Sequence, residues 1–192
     1  MDKELKLLIQ TDLYRYGFKS EKELNFFDKK ELFGYKYTKI LRKVTYYKKQ
    51  KQRIRYYINR LMLEYYTIKY GYSIPYSVKV GRGLYLGHLG SIVVNYKAIL
   101  GNNVNLAQGV TIGLSNGGKN PGVPKIGNKV WIGANATVVG AIVIEDDVMI
   151  APNTFVNFDV PAHSIVIGEK AKILHRDNST AKYVENLVEE LK

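Results

Sequence analysis

The sequence predicts a mainly β chain: a parallel β solenoid of six-residue repeats, preceded by a basic α-helical region. Three observations carry this expectation. An aliphatic or alanine residue recurs every six positions from Ile74 to Val156, with one interruption. A small or turn-forming residue often follows it, as at Gly81, Gly87, Asn105, Gly127, Gly133, Ala151 and Asn157. Composition also changes where the repeat begins. Residues 1–72 hold 18 Lys/Arg against 8 Asp/Glu and 12 of the 16 tyrosines, whereas residues 73–192 hold 11 Lys/Arg against 9 Asp/Glu.

The N-terminal region carries helical periodicity. Residues 2–16 place Leu5, Leu8, Ile9, Leu13 and Tyr16 on one helical face. Residues 53–70 do the same with Ile54, Tyr57, Ile58, Leu61, Tyr65 and Ile68. Between them, Gly34 suggests a turn and the Lys/Tyr-rich stretch 35–52 a further helix. Asn59, Arg60 and Gly71 fit helix termination before the first coil. Helices here would cover the open end that every solenoid must close. The stretch from Arg42 to Arg53 interleaves cations with aromatics, a composition that suits an anionic membrane surface or a nucleic acid.

The repeat positions are Ile74, Val80, Leu86, Ile92, Ala98, Val104 and Val110, then Ile126, Ile132, Val138, Ile144, Ile150 and Val156. A period of six matches neither the 3.6 of a helix nor the two of a simple strand. It suits a short strand, a turn and another short strand. Three hexads close one triangular coil, so thirteen make a little over four coils. Glycine and asparagine supply the left-handed backbone conformations that such turns require. The interruption holds a glycine-rich loop at 114–125, and loops extruded from a solenoid often bind ligands. It lacks the Gly-x-x-x-x-Gly-Lys-Ser/Thr of a phosphate-binding P-loop. Three segments follow: a basic, Tyr-rich helical region at 1–72, the solenoid at 73–174, and a C-terminal tail or helix at 175–192.

Composition excludes several chemistries. With no cysteine there is no disulfide, thiol nucleophile or thiolate metal site. The three histidines, His88, His163 and His175, are too scattered for a three-histidine zinc site on facing coils, so no metal is expected. No recognised nucleic-acid-binding module accompanies the basic half. The N-terminus has no apolar signal core, and no stretch approaches the roughly 20 apolar residues of a membrane span. The expectation is a cytoplasmic protein whose basic region suits peripheral contact with an anionic inner membrane face.

The segments Val80-Gly-Arg-Gly-Leu-Tyr-Leu-Gly-His88, Asn105-Leu-Ala-Gln-Gly-Val-Thr-Ile-Gly113, Val130-Trp-Ile-Gly-Ala134 and Val160-Pro-Ala-His-Ser-Ile-Val-Ile-Gly168 resemble the hexapeptide-repeat acyltransferase superfamily. Within it, they are similar to serine acetyltransferases and their relatives in surface-polysaccharide synthesis. The resemblance implies a left-handed parallel β-helix, a homotrimer with sites between subunits, and acetyl-CoA as co-substrate. It places the family's catalytic histidine at His88. Histidine suits a general base because its unperturbed pKa lies near 6.5. The resemblance also puts Ala134 and Pro152 at backbone contacts with coenzyme A. Lys119, Lys125, Lys170, Lys172 and Arg176 are candidates for its phosphates by position near the loop and the last coil. Three polar positions of the serine pocket are changed: Ser73 stands for an aspartate fifteen residues before His88, Gly87 for an aspartate just before it, and Val123 for a loop histidine. A site that has lost its partners for an ammonium and a carboxylate points away from L-serine. The expected acceptor is then a sugar hydroxyl, small or lipid-linked, in a capsular or exopolysaccharide precursor. The alternative is serine itself in a divergent pocket.

Overall fold

The computed structural model describes residues 2–168, 172–181, 184 and 188. Four helices come first. In α1 (Lys3–Tyr14), the Asp2 side chain accepts from the Glu4 N–H at 2.9 Å, and Leu5, Ile9 and Leu13 are buried. A short α2 (Phe26–Glu31) starts on a reciprocal Asn25–Asp28 capping box. It leads into α3 (Phe33–Lys49) and α4 (Arg53–Tyr70). Gly71, at φ 75°, ends α4 in the left-handed conformation.

Two expectations for this region are corrected. Gly34 is not a turn; it lies in the first turn of α3, where a Cβ would come within 2.1 Å of the Leu86 carbonyl oxygen. Glycine is needed there for helix and coil to touch. Asn59 and Arg60 lie inside α4 and terminate nothing.

The rest is a left-handed parallel β-helix of five coils with three sheets. The first sheet stacks β1 (Tyr72–Ser73), β4 (Ile92–Val94), β7 (Thr111–Gly113), β10 (Thr137–Val139) and β13 (Phe155–Val156). The second stacks β2 (Lys79–Val80), β5 (Ile99–Leu100), β8 (Lys125–Ile126) and β11 (Val143–Ile144). The third stacks β3 (Tyr85–Leu86), β6 (Asn105–Leu106), β9 (Trp131–Ile132), β12 (Val148–Ile150) and β14 (Ser164–Ile167), and an antiparallel β15 (Lys172–His175) joins its far edge. Of the thirteen repeat residues, all but Val80 are buried. Each fully buried aliphatic contributes about 1.5–3 kcal/mol relative to exposure.

The stacking differs from a constant period of six. Leu86 sits on Leu106, twenty residues on, whereas Val94 sits on Ile112, eighteen on. The corner from β3 to β4 therefore carries two extra residues. A second irregularity shortens the last coil: Ile144 bridges to Val160, only sixteen residues on. That step lets Val160 and Val166 complete a fifth coil, beyond the little over four expected.

The helices close the open end of all three sheets with side chains. The Tyr37 hydroxyl accepts from Ile74 N–H at 3.2 Å and donates to Ile74 carbonyl at 3.1 Å. The Tyr16 hydroxyl does the same at Leu86, both at 3.1 Å. Arg42 donates to the carbonyls of Val80 and Gly81, while the Asp12 carboxylate accepts from Leu84 N–H at 3.0 Å. Arg42 and Asp12 are themselves a buried, two-pronged ion pair at 2.8 and 2.9 Å. Edge groups that would otherwise template another strand are thus satisfied. The basic stretch 42–53 is split as a result: Arg42, Val44 and Tyr46 turn inward.

Candidate active site

His88 lies on the corner with the two extra residues, between β3 and β4, and it is exposed. The chain bulges there and returns at Gly90, whose φ is 134° and whose N–H donates to the Tyr70 carbonyl at 3.2 Å. Two tyrosines hold the bulge. Tyr16 grips Leu86 on one side, and the Tyr72 hydroxyl donates to the His88 carbonyl at 2.8 Å. Burial, with Tyr70 and Tyr85 nearby, pushes the Tyr72 hydroxyl well above its ordinary pKa. Burial does the same to Tyr16 against the opposing hydrogen bond to Leu86. Both therefore remain protonated donors. The imidazole of His88 has no hydrogen-bond partner among the described residues.

The register of the third sheet shows what shares this corner. Leu86, Leu106, Ile132 and Ile150 stack in one column. The residues two places later are His88, Gln108, Ala134 and Pro152. Backbone bonds run along the same line, from Asn135 N–H to the Gln108 carbonyl at 2.9 Å and from Asn153 N–H to the Ala134 carbonyl at 2.8 Å. With coils about 4.8 Å apart, Ala134 and Pro152 lie roughly 10 and 14 Å below the level of His88. The column ends beside Gly168, where the chain turns from β14 into β15.

The other candidate residues are scattered. Lys172 pairs by backbone with Ile167 near the foot of the column, and Lys170 lies outside the described residues. Lys119 is exposed in the loop 114–125, which leaves the prism at the corner between the first and second sheets. Lys125 faces outward on the second sheet, across the prism from His88. Arg176 is exposed, and its N–H donates to the His163 carbonyl at a third corner. In one chain His88, Ala134 and Pro152 thus share a corner on different coils, whereas Lys119, Lys125 and Arg176 lie elsewhere.

Ser73 is exposed on β1, opposite Val93, and makes no side-chain hydrogen bond to His88. A side chain at Gly87 would begin 3.2 Å from the Tyr85 ring, so that ring occupies the space beside the bulge. Tyr85 in turn packs on Tyr16 with ring centroids 4.4 Å apart. Val123 packs on the main core. His163 binds Asp147 at 2.8 Å and His175 is exposed on β15. Among the described residues, no group of three His, Asp or Glu side chains is placed to hold a metal ion. Tyr16, Tyr72 and Gln108 were not singled out in the sequence as site residues. Only the spacing of Gln108, the second residue after the buried Leu106, carried a signal.

Comparison with known proteins agrees with this architecture. Residues 124–157 match the family model for bacterial transferase hexapeptide (six repeats). The chain is 36% identical over 122 residues to a serine acetyltransferase of Helicobacter pylori, covering 64% of this chain and 71% of that protein. It is 34% identical over 104 residues to a putative colanic acid biosynthesis acetyltransferase of Escherichia coli, covering 54% of this chain and 64% of that one. A crystal structure of serine acetyltransferase from Brucella abortus in complex with coenzyme A superimposes with a TM-score of 0.69 at 26% identity, covering 90% of this chain and 66% of that one.

Proposed function

This chain belongs to the serine acetyltransferase family of hexapeptide-repeat transferases and is an acetyltransferase, and from that premise we propose that it transfers acetyl from acetyl-CoA to a sugar hydroxyl of a surface-polysaccharide precursor, with His88 as general base. The observation that carries the reading is the corner column. It puts the exposed His88 at the same corner of the prism as Ala134 and Pro152, two and three coils on, along an edge where a pantetheine arm can lie with its thioester at the bulge.

In this mechanism the imidazole of His88 takes the proton of the acceptor hydroxyl as its oxygen attacks the thioester carbonyl. The tetrahedral intermediate collapses, the C–S bond breaks, and the imidazolium returns its proton to the departing thiolate. The base contributes about 10²–10⁴-fold. Lys172, whose backbone pairs with Ile167 near the foot of the column, is the proposed partner for the coenzyme's phosphates. Lys119 and the loop 114–125 leave a different corner from His88, so they serve the site of a neighbouring subunit in a trimer.

The acceptor follows from the three altered positions of the serine pocket. Gly87, Ser73 and Val123 offer neither a carboxylate for an ammonium group nor a cation for a carboxylate, and Tyr85 fills the space beside Gly87. The colanic acid relative favours a sugar. The Helicobacter relative favours L-serine as a second reading. Release of free coenzyme A, measured with L-serine and with nucleotide- and lipid-linked sugars, separates the two. We expect turnover with a sugar, lost in His88→Ala. Turnover with serine would overturn the acceptor assignment, and an unimpaired His88→Ala the mechanism.

A further inference from the structure

The apolar stripe expected on α4 does not face the core. Ile54, Ile58, Leu61 and Ile68 are 78%, 58%, 74% and 79% exposed, and Tyr57 and Tyr65 are 62% and 56% exposed. The helix meets the rest of the protein through its other side, where Leu63 and Tyr70 are buried and Tyr56 and Tyr66 pack on the core. α4 therefore has two apolar faces, and one is open.

We propose that the open face of α4 docks on an anionic lipid bilayer, lying in the headgroup plane. At 100° per residue, the exposed apolar residues fan over about 140°, with Met62 at one border. That is wider than a two-position coiled-coil seam. Arg55 and Lys69 border one side of the fan, and Arg53 and Arg60 border the other. Cations flanking an apolar centre on both sides match an interfacial helix whose charged ends reach the phosphates. Tyr57 and Tyr65 suit the same boundary, with rings toward the acyl chains and hydroxyls toward the headgroups. Glu64 is the one acid on the helix, and it is paired with Arg60 at 2.9 Å.

Charge argues for lipid over a second copy of the chain. An antiparallel pairing of two such helices would set Arg55 against Lys69 of its mate, and the helix carries four cations to one anion. The N-terminal 72 residues hold ten more cations than anions, and an anionic surface uses that excess. A second exposed aromatic pair, Phe26 and Phe27, stands on α2 beside Lys29 and Lys30. The following Phe33 packs on Tyr70 at the end of α4, with centroids 5.5 Å apart. No helix among the described residues is long and apolar enough to cross a membrane, so the contact is interfacial. The inference does not depend on the acceptor, because it concerns binding alone.

The test is co-sedimentation of the full chain with two kinds of vesicle: phosphatidylcholine alone, and phosphatidylcholine mixed with phosphatidylglycerol. Wild type should pellet with the anionic vesicles, not with the neutral ones, and should be released by salt. The double variant Ile58→Asp, Leu61→Asp should weaken binding about tenfold or more, and so should Arg55→Gln with Lys69→Gln. None of the four belongs to the His88 bulge or its corner column, so circular dichroism and coenzyme A release should stay unchanged. Two results would overturn the proposal. One is vesicle binding that the stripe variants leave intact. The other is no vesicle binding by wild type, with the stripe variants shifting its oligomeric state in light scattering; a second copy would then cover the face.

Discussion

The Tyr72 ring is fully buried, yet its hydroxyl reaches the carbonyl of His88 on the exposed bulge. Tyr72→Phe keeps the ring and removes only that restraint. Loss of one such hydrogen bond corresponds to about 3–10-fold in rate if it acts through His88. The expected outcome is a lower kcat with little change in KM or Tm. An equal loss of Tm and activity would instead mark Tyr72 as purely structural. The tyrosines also set an alkaline limit. Burial raises Tyr16, Tyr37 and Tyr72, and takes Tyr70 up to about 12. Above the unfolded value near 10, the unfolded chain has shed protons that the fold retains, so stability falls as pH rises. A pH series of thermal unfolding should show Tm dropping steeply beyond about pH 10. At this scale the sequence singled out His88 as the candidate base, because glycines and a recognisable motif flank it. The hydroxyls of Tyr16, Tyr37 and Tyr72 were not. Their role depends on which strand edges are left uncovered, and that is settled only once coil and helices meet.

Among the elements, the repeat was legible in kind but not in register. Alternate residues of a strand share a face, so both Ile92 and Val94 point inward, as do Val104 and Leu106. An insertion of two residues thus keeps an aliphatic residue at either phase and leaves no gap in the pattern. That is why the bulge carrying His88 was hidden inside an apparently unbroken period. The direction of α4 was illegible for a related reason: periodicity finds an apolar stripe but not which of two stripes meets the core. The join between helices and coils rests heavily on Asp12 and Arg42. Asp12→Asn leaves a buried guanidinium without its counter-charge and weakens the bond to Leu84. It should cost about 3–5 kcal/mol, read as a large fall in Tm by calorimetry.

Across the whole molecule, the three corners of the prism carry different things. One holds His88 with Ala134 and Pro152, the next holds the loop 114–125, and the third holds His163 and Arg176. Triangular architecture was legible from the period of six, but this distribution was not, because it depends on where each insertion falls. The covered end has a consequence for how the chain comes into being. Synthesis runs from the N-terminus, so α1, α3 and α4 leave the ribosome before any coil exists. Tyr37, Arg42, Asp12 and Tyr16 then present fixed donors and acceptors to residues 74–86 as these emerge. The lid is a starting template, and each coil, once laid on it, is the template for the next.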